Sequence, residues 1–524
     1  MATGDVFVRK ASGLVRNLSA FDALNVNVAM CSPLQGVLWA WTFGPFMFQQ
    51  VNLVLAYFLG MIVVGIGAAL TYTLWTIGMP RSGGDYIWFS RTVHPAYGFV
   101  INWFLTFVFL NWFAMNSATF GPFFIGSVFV SLGMNEAAAT VSSYQGAVLI
   151  GTAAVILSAL LISVGMKIYA WFYKILFWVM TAGFVLFVAI CLTTPNAVFI
   201  ENFNRAMAGT TTYQAVIDKA QNLGWLPGWI AGSSLYGLVF PMQNYSWGGF
   251  PAYVSGEIRD INRSAWIGVI GGLIVMSAWY CVTGILLYNT VGYDFLHALA
   301  YTFSASPKDY PLPFPPYPQN YVLFMTDNKA LVAAVAVTWL ISGVYLSPPN
   351  LLLATRNVFA WSFDRLVPTA FSTVSKRSAS PTYSVIACTI IGEILMILVA
   401  TTTYGVAIIN TFMIMNIVLC LVAIATIVFP YTKKDLFARM PAAVTRKVAG
   451  VPIMTLSGIV MLIFSAFMVY AAYTAPALGG LNSMSLIFNV AVLLVALPIY
   501  AIAYFYNKSK GVDLTLQFKE VPPE

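Results

Sequence analysis

VFPMQNYSWGGFP, residues 239–251, lies inside an apolar stretch long enough to cross a membrane, yet it cannot form one uninterrupted helix. Pro241 and Pro251 each lack an N–H and clash with the preceding turn. Between them, Gly248 and Gly249 make unwinding cheap. In lipid an interrupted backbone is tolerated only where it faces protein or a wet cavity. A second interruption, MCSPLQG at 30–36, puts Pro33 and Gly36 in the middle of the first apolar stretch. Half-helix ends offer free amides to an anion and free carbonyls to a cation, with no charged side chain needed. Either break alone reads equally well as an ordinary proline kink. Two breaks at corresponding places in two halves of a chain point to the substrate site of an inverted-repeat transporter.

Working outward from these two stretches gives twelve spans: 22–41, 48–77, 96–132, 144–164, 168–191, 227–254, 264–289, 330–353, 382–400, 405–429, 451–473 and 482–506. Runs near 20 apolar residues match the ~30 Å hydrocarbon core. The third is longer than a perpendicular crossing needs, so it is expected to tilt or protrude. Sixty per cent of the 524 residues are apolar and only 8% charged, against roughly a quarter charged in soluble domains. Lipid must therefore cover much of the surface. With the N-terminus inside, only Arg205, Lys219, Lys308 and Lys329 of the 25 Lys and Arg residues fall outside. Adding or losing one span would scramble this bias, so it supports both the span count and two cytoplasmic termini in the cell membrane. The same distribution accounts for the net charge of +8 without nucleic acid.

The first 21 residues are polar and lack the apolar core of a cleaved signal. The five cysteines form no CxxC pair and read as small buried hydrophobes. An enzyme would need acids, bases, a metal cluster or a nucleophile facing one cavity. Only His94 and His297 are present, near span ends, and neither HExxH nor GxxxxGK[ST] occurs. No enzymatic activity, ATP-driven pumping, metal or cofactor is expected. Two outside connections are long, 196–226 and 292–329; the second contains PKDYPLPFPPYPQNY (307–321), which favours extended, stiff backbone over helix. It reads as a lid over a vestibule or as a surface strap.

Four segments resemble the amino acid–polyamine–organocation superfamily of permeases: RNLSAFD (16–22), MPRSGGDYIWFSR (79–91), GEIRDINRSAW (256–266) and ATRNVFAWSFDRLVPTAFSTVSKRSASP (354–381). In order and at the spacing of the spans, they cover nearly the whole chain. The resemblance implies an all-α leucine-transporter fold of twelve transmembrane helices: a 5+5 inverted repeat with helices 1 and 6 broken, plus two peripheral helices. The chain then divides into a cytoplasmic segment (1–21), a first five-helix repeat (22–191), an extracellular loop (192–226), a second repeat (227–429), a basic cytoplasmic loop (430–450), helices 11 and 12 (451–506) and a cytoplasmic tail (507–524). It also implies secondary active uptake of an amino acid or related amine by alternating access. The expected substrate-binding residues are Ser32, Pro33, Leu34, Gln35 and Gly36 on helix 1. On helix 6 they are Gln243, Asn244, Tyr245, Ser246, Trp247, Gly248 and Gly249, with Tyr245 and Trp247 the gate candidates. The family's Gly-Ser-Gly element is replaced in this chain by Ser32-Pro33-Leu34-Gln35-Gly36, and Pro33 offers no amide donor. The helix 5 lysine of proton-coupled members matches Met180, with Lys174 more than a turn nearer the cytoplasm.

The remaining polar residues each carry two readings. Lys174 titrates in coupling or snorkels to the interface; Ser342 and Ser347 offer hydroxyls to a sodium ion or bond neighbouring helices, and the asparagines at 102, 111, 116, 410 and 416 line the site or bond neighbouring helices. Glu393, in mid-span, is a proton carrier or a hydrogen-bonded structural group. Arg81, Asp85, Glu257, Arg356, Asp364 and Arg365 form a cytoplasmic gate network or a solvated basic surface. No acidic residue lies at mid-membrane depth in spans 1, 3, 6, 8 and 10. A multiply charged amine would lack counter-charges there, so the expected partner is a neutral amino acid with a coupling ion, a proton before sodium. A polyamine carrier, a sodium-coupled carrier or exchanger, and a substrate sensor are the alternatives.

Overall fold

The computed structural model describes residues 14–31, 33–474 and 483–519. Ser32 and the Asn410 side chain, both singled out above, lie outside what is described. Among the described residues, ten helices are long and apolar enough to cross a membrane. Each coincides with one of the expected spans. The first and sixth spans are not among them. The first is described as helix on both sides of Ser32, Ala20–Cys31 and Pro33–Met47, with Gly36 inside the second stretch; the sixth consists of shorter pieces, Ala231–Tyr236, Val239–Tyr245 and Ser246–Glu257.

Ser246–Glu257 is a 3₁₀ helix twelve residues long, whereas such runs rarely exceed three or four residues. Pro251 lies within it. The tighter winding is how this sequence absorbs two adjacent glycines and a proline without exposing bare backbone to lipid. The third span is shorter than expected. Its helix, Pro95–Ala118, stops at a turn, and the chain continues through the π segment Phe120–Ile125 and Gly126–Ser131. The long connections also contain helices. Asn196–Ala206 and Tyr213–Asn222 are helices, and Tyr293–Ala305 is helical after a sharp turn at Gly292, whose φ of 94° favours glycine. Phe203, Tyr213 and Phe295 pack their rings there at 4.2–4.9 Å. In the Pro-rich stretch, Pro307–Asp309 and Pro318–Phe324 wind as 3₁₀ turns.

Pro95–Ala118 is the hub: 78% of its most apolar window is buried inside the protein, against 11% for Leu486–Ser509. It packs on Lys329–Phe363, Thr382–Thr401, Tyr144–Ser163, Tyr404–Thr432 and Ser483–Ser509. Ala20–Cys31 packs along Ser246–Glu257 and the π segment Trp266–Gly271, which sets the two interrupted spans side by side. Leu18 N–H donates to the Glu257 carbonyl (2.9 Å) and Arg259 N–H to the Leu18 carbonyl (2.8 Å), pinning the foot of the first span to that of the sixth.

Candidate functional site

Where the two interrupted spans meet, the contacts are made by small and aromatic residues. A Cβ on Gly36 would stand 1.8 Å from the Tyr280 hydroxyl and 2.6 Å from Asn244 Nδ2, so only glycine leaves room for both. The Tyr280 hydroxyl donates to the Cys31 carbonyl at 3.0 Å, directly before Ser32. The Tyr57 hydroxyl donates to Asn244 Oδ1 at 2.7 Å, and its ring stacks on Tyr280 with centroids 4.3 Å apart. Tyr245 meets both rings edge-on, at 5.7 and 5.8 Å. Helix 1 carbonyl, helix 6 amide and three tyrosines thus form one cluster.

The other expected site residues surround it. Pro33 and Leu34 are buried at the start of Pro33–Met47. Gln35 Nε2 donates to Asn116 Oδ1 of the hub helix (3.3 Å). Trp247 is buried against Phe109 and Trp112 of the same helix, with centroids 5.9 and 6.2 Å away. Gly248 faces Asn27, whose Nδ2 donates to the Gly268 and Val269 carbonyls (2.7 and 3.0 Å). Gly249 faces the Tyr72 ring. Three buried polar atoms on these segments, Gln35 Oε1, Gln243 Oε1 and Ser246 Oγ, have no hydrogen-bond partner among the described residues. Leaving such a group unsatisfied costs about 1–3 kcal/mol.

Lys174 neither floats free nor reaches this cluster: its Nζ pairs with Asp22 Oδ1 at 3.0 Å. The other Asp22 oxygen accepts from the Ser19 amide (2.8 Å) and hydroxyl (2.7 Å), capping the start of the first span. Met180 is fully buried. Ser347 Oγ lies 2.9 Å from Ser117 Oγ, and Ser342 is fully buried on the same helix. Glu393 accepts from Thr152 at 2.6 Å, joining Thr382–Thr401 to Tyr144–Ser163.

Two ion pairs at the basic end are buried rather than solvated, and Asp85 is buried among hydrogen-bond donors. Glu257 and Arg356 meet through two contacts, 2.7 and 3.3 Å, with both side chains almost wholly enclosed. Asp85 accepts from Asn102 (2.6 Å) and from the Tyr253 hydroxyl (2.8 Å), tying the loop after span 2 to the hub and to the 3₁₀ segment. Burial pushes the Asp85 carboxyl up to about 6, and those two hydrogen bonds restrain the rise. Asp364 accepts from Tyr86 (2.6 Å) and from Arg91 (2.7 and 2.8 Å). Arg81 Nη1 donates to the Pro80 carbonyl and its own carbonyl accepts from Ser255 (3.2 Å). Arg365 turns the chain at φ 61°, its carbonyl held by Asn507. Tyr57, Tyr280, Asp22, Arg91 and Tyr253 were not anticipated from the sequence. The signal was there for Tyr280: a hydroxyl amid an apolar run must find a partner.

No curated protein matches the chain. The sequence model of a family described as amino acid permease matches residues 39–498, beginning three residues after Gly36. With that share of its length matched and ten membrane-long helices in its structure, the chain is an integral membrane protein that belongs to the amino acid permease family of the amino acid–polyamine–organocation superfamily, and is thus a transporter.

Proposed function

We propose that this permease takes up a neutral amino acid across the cell membrane by alternating access, driven by protons. In this reading the interrupted segments 20–47 and 231–257 are two further crossings, which makes twelve with a 5+5 inverted repeat and both termini in the cytoplasm. The single observation that carries it is the junction at which Gly36, Asn244 and Tyr280 meet beside the Cys31 carbonyl. A zwitterion finds helix-end dipoles of both signs at such a junction and needs no carboxylate from the protein. The buried Asp85, Glu257–Arg356 and Asp364–Arg91 contacts act as the inner gate, closed in this conformation.

Lys174 is the coupling candidate because it holds Asp22 at the foot of the first span. Losing its proton removes the charge that pairs with Asp22, which frees that foot to move. The test is tracer flux into proteoliposomes, with a panel of amino acids and with imposed proton or sodium gradients. Lys174→Ala should abolish proton-driven accumulation and leave exchange largely intact. Arg should not rescue it, since its charge is fixed. Normal accumulation by Lys174→Ala removes this residue from coupling; sodium-driven uptake indifferent to pH overturns the proton assignment; tighter binding of putrescine than of any neutral amino acid overturns the substrate class. Binding without flux would make the protein a sensor.

A further inference from the structure

At the basic end, beside the gate contacts, lies an open cavity of about 780 Å³. Arg91 forms part of its wall, with Lys433, Arg439 and Lys519 around it and Tyr500 and Tyr504 on the membrane side. Asp435 is the one carboxylate among the residues lining it. Arg91 is already matched by Asp364, but Lys433, Arg439 and Lys519 are exposed and have no ion-pair partner among the described residues. Three walls from distant parts of the chain converge here: the loop after span 2, the loop after span 10 and the C-terminal segment, whose Phe518 ring sits 5.0 Å from the Arg91 guanidinium. A surplus of positive charge gathered into a concavity, rather than spread over a convex surface, is suited to a phosphate.

We infer that this cavity binds the headgroup of an anionic phospholipid from the adjoining leaflet. The membrane side of the cavity decides for a lipid over a free phosphate. Tyr500 and Tyr504 belong to Ser483–Ser509, the helix least covered by protein, and Ile502 and Phe505 beside them are 69% and 64% exposed. Acyl chains can lie along that face while the phosphate enters between the basic side chains, and interfacial tyrosines mark the level of the headgroups. Basic pockets at the ends of membrane helices recognise such headgroups by charge.

The test is native mass spectrometry of the detergent-purified full chain, doped with equal amounts of phosphatidylglycerol and phosphatidylethanolamine. Each basic side chain beside a headgroup contributes about fivefold, so Lys433→Gln/Arg439→Gln/Lys519→Gln should retain roughly a hundredfold less phosphatidylglycerol, with phosphatidylethanolamine unchanged. Asp435→Asn should raise phosphatidylglycerol retention about fivefold, a gain that misfolding cannot mimic. Equal retention by parent, triple variant and Asp435→Asn overturns the site. Displacement of the lipid by inorganic phosphate at matched concentration overturns its assignment to a lipid.

Discussion

Gly36 has no side chain because Tyr280 and Asn244 occupy the space where one would stand. Gly36→Ala must push the tyrosine hydroxyl off the Cys31 carbonyl, and overpacking of this kind costs about 1–3 kcal/mol. The expected outcome is loss of tracer uptake by a protein that still runs as a single species on size-exclusion chromatography; full uptake would detach this junction from transport. Asp85 gives a pH signature. Its folded carboxyl is raised to about 6 from an ordinary 3.8 by burial, so the folded chain holds that proton more tightly than the unfolded one. Its contribution to stability is complete below the unfolded value and is lost as pH rises through about 6, a change on the order of a few kcal/mol. Thermal unfolding followed from pH 5 to pH 7 should therefore fall more steeply in the parent than in Asp85→Asn; parallel curves would contradict the assignment. Gly36 reads from sequence as a helix breaker, yet it lies within the helix Pro33–Met47, where its role is close packing. Its dependence on Tyr280, 244 positions away, could not be read from sequence.

The 3₁₀ segment Ser246–Glu257 ends in the Glu257–Arg356 pair, so the sixth span is tied at its foot to Lys329–Phe363. Removing one partner of an enclosed pair leaves a bare charge and costs about 3–5 kcal/mol. Arg356→Ala should lower the denaturant midpoint accordingly, while Glu257→Leu with Arg356→Met should cost less than Arg356→Ala alone. A double variant as unstable as the single one would mean that the pair itself, rather than the abandoned charge, stabilises the fold. Membrane-length elements were legible because some twenty apolar residues admit few other structures in lipid. The interruption of the sixth span was legible because proline and glycine act within one turn. Its form, a continuous 3₁₀ run packed against Ala20–Cys31 rather than an extended gap, was not, because the same glycines and proline admit either. Helices in the first long connection were missed because only membrane-length apolar runs carry a strong helical signal. Phe199 and Phe203, four apart and both buried, carried the helical period all along.

For the molecule as a whole, orientation is the property most open to a direct check. Thr210 lies in an exposed turn of the connection between spans 5 and 6, and Lys434 is exposed at the basic end. In intact cells a membrane-impermeant thiol reagent should label Thr210→Cys at once and Lys434→Cys only after permeabilisation; the reverse would invert the topology. The distribution of lysine and arginine is what predicts this orientation, since it depends on counting rather than on contacts. The buried ion pairs were readable only as a set of charges, because which carboxylate meets which guanidinium is fixed by helices far apart in sequence. The 3₁₀ segment carries one more consequence, in its length. At about 2.0 Å rise per residue its twelve residues reach about 24 Å, and as α-helix they would reach about 18 Å. Rewinding alone would shorten this strut by about 6 Å, more than twice the 2.7 Å that separates Glu257 from Arg356. Any such contraction along the strut's own axis would part Glu257 from Arg356, and through Leu18 it would draw the foot of the first span with it.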